Sequence, residues 1–182
     1  MTRAAGALAL LLAVAIQAPA QGKPWKADSI RASSLTEITG RTAFGTWTSK
    51  AQKGIIIEVR TRLSGPDTLS VPALDIELRG SSKTATQSST WKFSAMAVAL
   101  HSGAGCNYVN QESLVKGAMG QSSPGAGTLT TARDVEGGPV VLTFGPGATR
   151  LCFAFPVPAG PTGGMKLRIG KLEYAVPALA AK

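Results

Sequence analysis

Alternation of apolar and polar residues with a period of two most constrains what this chain can become. Ile55, Ile57, Val59 and Leu63 alternate with Glu58, Arg60 and Arg62, and Leu74, Ile76 and Leu78 alternate with Asp75, Glu77 and Arg79. Successive side chains of a strand point to opposite faces, so each segment reads as a strand with one apolar and one wet face. Between them Ser64-Gly-Pro-Asp67 supplies a turn, because Gly tolerates positive φ and Pro fixes φ near its turn value. Further strands are expected over 44–48, 91–100, 140–144, 151–157 and 165–176, punctuated by Gly145-Pro-Gly147 and Ala159-Gly-Pro161. In the last of them Leu167 and Ile169 share a face, whereas Leu172, Tyr174 and Val176 have the opposite parity; a β-bulge at Gly170 would restore the register.

No sustained helical period follows residue 20. The segment 102–138, rich in Gly and Ser, reads as a long ordered loop with short strands inside it, tethered in part through Cys106. Short strands separated by turn signals predict an all-β chain, an immunoglobulin-like antiparallel β-sandwich of about seven to nine strands, with a closed barrel as the alternative.

The first twenty residues stand apart. Arg3 is followed by Ala4 to Ile16 without a charge, then by small residues at Ala18 and Ala20, which are the three parts of a secretory signal cleaved after Ala20. The apolar run falls short of the roughly 20 residues that a transmembrane helix needs, and nothing later approaches a membrane span. The expected organisation is a signal peptide over 1–20, a polar lead-in segment over 21–40 and the sandwich over 41–182. The mature protein is then periplasmic or secreted. Cys106 and Cys152, an even pair in an oxidising compartment, predict one disulfide worth about 4 kcal/mol by the chain-entropy estimate. A metal site built on them would need further converging ligands, and His101 is the only histidine.

Arg3 is the only charge in the signal, so its removal takes one positive charge from the formal +9. Lys23, Lys26, Arg31, Arg60, Arg62, Arg79, Lys83, Lys166, Arg168, Lys171 and Lys182 are scattered, which reads first as a solvated face. The balance also suits attraction to an anionic envelope polymer.

Two stretches carry a resemblance. Lys53-Gly-Ile-Ile-Ile-Glu-Val-Arg-Thr-Arg-Leu63, followed by Ser64-Gly-Pro-Asp-Thr-Leu-Ser-Val71 and Leu74-Asp-Ile-Glu-Leu-Arg79, resembles the opening hairpin of a family of bacterial secreted immunoglobulin-like domains of unknown function, similar to the sandwich of a mycobacterial secreted antigen. Gly145-Pro-Gly-Ala-Thr-Arg-Leu-Cys-Phe-Ala-Phe-Pro-Val-Pro158 resembles their proline-glycine turn and following strand, and Lys166-Leu-Arg-Ile169 their closing strand. The matched pieces cover roughly 41–80 and 139–176, and the resemblance brings no catalytic residue with it.

Enzyme chemistry finds few parts. A Ser-His-acid site needs a base, and Leu100-His101-Ser-Gly103 stands without a Gly-x-Ser-x-Gly elbow anywhere. Carboxylates for glycoside chemistry would come from Asp75, Glu77, Glu112, Asp134 and Glu136, but Asp75 and Glu77 alternate with core residues as wet-face charges do. Gly117-Ala-Met-Gly120 and Gly125-Ala-Gly127 lack the Lys-Ser/Thr and helix of a phosphate loop. For ring stacking, aromatics at 5% of residues are few, and most are needed by the core; Trp25, in the polar lead-in, is the expected exposed one. Trp25, Trp91 and Lys92 are therefore the candidate ligand contacts. No catalytic residue, cofactor or metal is expected, and nucleic acid is not an expected partner because no basic patch with aromatics forms in one dimension. The expectation is a non-catalytic exported module that binds a protein or an anionic envelope component. The alternative is a carbohydrate-binding domain or extracytoplasmic hydrolase with its site in 102–138.

Overall fold

The computed structural model describes residues 24–42, 45–52, 54–83, 87–103, 105–110, 119–123, 125–133, 139–158 and 162–179. The expected signal at 1–20, Gln21, Phe44, Glu112, Gly117, Asp134 and Glu136 lie outside the described residues. Within them the first strands are β1 (Lys26–Leu35), β2 (Glu37–Thr42), β3 (Gly45–Lys50), β4 (Ile55–Gly65) and β5 (Leu69–Pro72), the last followed by a 3-10 turn at Ala73–Asp75. The middle of the chain contributes β6 (Ile76–Lys83), β7 (Ser88–Ser94), β8 (Ala97–Ser102), β9 (Gly105–Cys106), β10 (Val109–Asn110) and β11 (Met119–Ser123). Then come β12 (Gly127–Arg133), β13 (Val140–Phe144), β14 (Gly147–Val157), β15 (Thr162–Ile169) and β16 (Leu172–Ala175).

The all-β prediction holds, with more and shorter strands than the expected seven to nine. A six-stranded principal sheet runs β1-β4-β14-β8-β10, with β9 also on β8. Two four-stranded sheets, β11-β12-β13-β5 and β16-β15-β6-β7, pack on its inner face. The 3-10 turn carries the chain from β5 in one to β6 in the other, and Leu74, expected in a core face, sits in that turn 61% exposed. Every ladder among the described residues is antiparallel. Ile57, Val59 and Leu63 of β4 and Leu151, Phe153 and Phe155 of β14 meet Val71, Leu142, Phe144, Ile76, Leu78, Leu167 and Ile169 across the sandwich, all buried. This is the larger core, built from the alternation that the sequence displays.

Three expectations are corrected. The described part of the 21–40 segment is no lead-in: β1 pairs with β4 from Lys26↔Ser64 to Leu35↔Ile56 and so belongs to the sandwich. Its weak signal has a cause, since a bulge between Ala27 and Ser29 breaks the period and the inward residues Ala27, Ile30 and Ala32 are small or isolated. The expected strand over 91–100 divides where the chain leaves β7 for the principal sheet; there Ala95 N–H donates to Ile76 O (2.9 Å) and Met96 N–H to Ala154 O (2.8 Å). The expected bulge at Gly170 is a two-residue turn closing the hairpin of β15 and β16, with Ile169 opposite Leu172. Gly170 at φ 60° fits the first central position of a primed turn, and the turn accounts for the parity change. Within 102–138 the short strands expected inside the loop include β11 and β12, which form a ladder with β13.

A second layer lies on the outer face. The hairpin of β2 and β3 covers Ile56, Ala97, Ala99, Cys152 and Ala154, and with Ile38 and Tyr108 these form a smaller buried cluster. Small side chains on β8 and β14 allow that close approach. Cys152 therefore faces away from Leu151 and Phe153 as its parity requires, yet is fully buried. Cys106 and Cys152 form the predicted disulfide, with Cα atoms 6.1 Å apart, inside the usual range of about 4.4–6.8 Å.

Candidate functional site

The covering hairpin divides the outer face of the principal sheet into a buried apolar half and an open half. Strand register fills the open half with arginine. Arg31 of β1 stands opposite Arg60 of β4, and Arg62 of β4 stands opposite Arg150 of β14. Residues paired across strands share a face, so all four guanidinium groups belong to one surface. With His101 they line a cleft of about 360 Å³, near the lower end of the size range of small-molecule sites. Like charges directly opposite one another destabilise a sheet. Two such pairs side by side therefore need anions close by.

Two carboxylates are within reach. Glu58, expected on a wet face, is 3% exposed; its Oε1 accepts from Arg60 Nε at 2.6 Å and its Oε2 accepts from Tyr108 O–H at 2.6 Å. Burial, reinforced by the Glu58 hydrogen bond and charge, pushes the Tyr108 phenol well above its ordinary value, so it stays a donor. The Tyr108 carbonyl is itself fixed by Arg41 N–H at 3.1 Å, next to the one parallel bridge described, Gly40 to Tyr108. Asp28 lies 3.7 Å from Arg62 and accepts from Ser64 Oγ at 3.0 Å. Among the described residues Arg31 and Arg150 have no ion-pair partner.

His101 is held below its ordinary pKa by burial first and then by the charges of Arg60 and Arg150, with Glu58 opposing them. It is a neutral imidazole at pH 7, able to donate one hydrogen bond without adding charge. Its register partner on β9 is Cys106, so the disulfide runs from the strand beside His101 to the residue opposite Arg60. No group of three His, Cys, Asp or Glu side chains suited to a metal occurs among the described residues.

The candidate contacts lie elsewhere and do not converge. Trp25 is not exposed: it is 8% accessible, lies against Gly65 and donates from Nε1 to Asp67 O at 3.1 Å. Its backbone carbonyl accepts from Tyr174 O–H at 3.1 Å. Gly65 is free of a side chain that would otherwise fill the place of the indole, whose atoms stand 2.5 Å from an added Cβ. Trp91 repeats the arrangement over its cross-strand partner Gly80, and Trp47 over Gly40. Each tryptophan thus shields a glycine in a strand, a device known to support glycine positions in sheets.

Trp91 also lines a cleft of about 600 Å³ with Arg79, Thr90, Lys92 and Gly164. Lys92 is also engaged with a carboxylate, its Nζ lying 3.1 Å from Glu77. Arg79 (2.7 Å) and Arg168 (3.4 Å) share that carboxylate. Burial alone would raise the Glu77 pKa, but the hydrogen bonds and charges of Arg79 and Lys92 outweigh it and hold the carboxyl below its usual range.

Sequence reading missed Arg31, Arg150, Glu58 and Tyr108 as members of one site. Arg60 and Arg62 visibly share a face, but only pairing of β1 and β14 with β4 brings Arg31 and Arg150 beside them. No protein-family model matches the chain, and no curated protein or solved structure matches it.

Proposed function

We propose that this chain is an exported, non-catalytic module of immunoglobulin-like type that binds an anionic component of the cell envelope through the arginine face of its principal sheet. The observation that carries the reading is the side-by-side pairing of Arg31 with Arg60 and of Arg62 with Arg150 on an uncovered surface. Arginine presents a planar fork that matches carboxylate and phosphate oxygens, and it keeps its charge at any physiological pH. The signal-like start at 1–20 and a disulfide, which oxidising compartments preserve, support export. The chemistry in reach of His101 is cationic, with Arg60 and Arg150 its main charged neighbours, which suits holding an anion better than taking a proton from a nucleophile.

The test is retention of envelope material on the immobilised protein at low and high salt. Exposed charges lose their reach as the Debye length falls from about 10 Å at 0.1 M to about 3 Å at 1 M. Binding at low salt that disappears at high salt, and that Arg62→Gln with Arg150→Gln abolishes, is the expected result. Retention unaffected by those substitutions would move the binding surface elsewhere on the sandwich.

A further inference from the structure

We propose that the arginine cleft takes a dianionic phosphate monoester, whether free phosphate or the phosphorylated end of a sugar, in preference to a singly charged carboxylate or phosphodiester. The inference rests on the anionic-ligand reading above and adds the ligand's charge and form.

Charge balance argues for it. Four guanidinium groups face the cleft, and Glu58 and Asp28 are the carboxylates described beside them. Glu58 is fully engaged, one oxygen by Arg60 and the other by Tyr108. Asp28 stands beyond hydrogen-bond range of Arg62 and is already bonded to Ser64. Among the described residues two positive charges remain to be met. A phosphate monoester carries about −1.5 to −2 at pH 7 and three strong acceptor oxygens, whereas a carboxylate or a diester carries a single charge. His101, uncharged in this setting, adds a donor and leaves the balance at two.

Geometry points the same way. Arg62 and Arg150 are direct cross-strand neighbours, as are Arg31 and Arg60, so forks approach from strands on either side. A tetrahedral oxyanion can accept from several such forks at once, while a planar carboxylate is satisfied by one bidentate arginine. Arg60 is preset by its 2.6 Å bond to the buried Glu58. Binding then orders less of the site on arrival.

The experiment is titration of the secreted protein with methyl phosphate, glucose phosphate, dimethyl phosphate and acetate, followed by calorimetry and by the imidazole NMR signals of His101, the chain's only histidine. Methyl phosphate should bind at least about tenfold more tightly than dimethyl phosphate or acetate, since it gains charge-assisted bonds that they lack. It should also raise the measured pKa of His101 by offsetting the Arg60 and Arg150 charges. Equal affinity for methyl and glucose phosphate supports recognition of the phosphate alone, and tighter glucose phosphate supports the same site with added sugar contacts. Arg31→Gln and Arg150→Gln break no ion pair described here and should each lower methyl phosphate affinity with the fold intact, whereas Lys171→Gln, on the β15–β16 turn, should not. Equal binding of monoester and diester, or a His101 signal unmoved by methyl phosphate, overturns the proposal. Salt-sensitive envelope retention would in that case still stand, whereas loss of both removes the anionic-face reading itself.

Discussion

Glu58 is a carboxylate that a sheet has reason to bury only if both its oxygens find donors, because an unsatisfied buried charge costs several kcal/mol. Arg60 and Tyr108 provide them at 2.6 Å each. Tyr108→Phe keeps the ring in the smaller core but strands one carboxylate oxygen, and should cost roughly 1–3 kcal/mol of stability. Urea denaturation of the two proteins checks it; a loss confined to a few tenths would mean that water replaces the phenol. Gly80 poses the opposite problem, since no atom may be added. A Cβ there would lie 2.4 Å from the Trp91 ring, so Gly80→Ala has to push the indole aside at a cost of about 1–3 kcal/mol, as overpacking does. The change should also shift tryptophan fluorescence. An unchanged emission spectrum with unchanged stability would show that Trp91 does not depend on the glycine.

Strands were legible where apolar and polar residues alternate cleanly, and β4, β13 and β14 lie where that pattern places them. β1, β11 and β12 were harder to read because Ser, Thr, Gly and Ala fill them, leaving one or two large apolar residues apiece to mark a face. The covering hairpin of β2 and β3 left a trace that alternation alone hides. Ile55-Ile56-Ile57 and the unbroken run Leu151-Cys-Phe-Ala-Phe155 are apolar on both faces, the mark of strands buried from both sides. The candidate site was less visible than the fold, since Arg31 and Arg150 are far apart in sequence and meet only through the register of β1, β4 and β14. The Cys106–Cys152 bridge holds β9 to β14 beside that same surface. Reducing it should lower stability by about 2–4 kcal/mol and loosen the short strands that flank Tyr108. Hydrogen exchange of the β8–β10 amides before and after reduction measures this, and unchanged protection would place the bridge outside the cooperative unit.

The molecule as a whole carries a formal net charge of +9, and its stability should fall towards acid through two groups in different parts of the fold. His101 faces Arg60 and Glu58 of β4 and Arg150 of β14, and its folded pKa lies below the ordinary value of 6.5. The unfolded chain then binds more protons as pH drops below 6.5, so stability present above that value is lost until the folded pKa is passed. Glu77 faces Arg79 of its own strand, Lys92 of β7 and Arg168 of β15, and its folded pKa lies below 4.5. For a depressed carboxylate the contribution is complete above the unfolded value and disappears as pH falls through the folded one. Two successive losses are expected, the first beginning near pH 6.5 and the second near pH 4.5. Denaturant midpoints measured from pH 8 to pH 3 should therefore show a first decline that His101→Asn removes and a second that Glu77→Gln reduces, Glu173 on β16 being a second carboxylate whose pKa is lowered, by Lys166. Each substitution should leave the other decline in place, because the two groups lie on different sheets and share no partner. A single decline that either variant abolishes would mean that the two sites titrate as one, against the separation of the principal sheet from the sheet that carries β6.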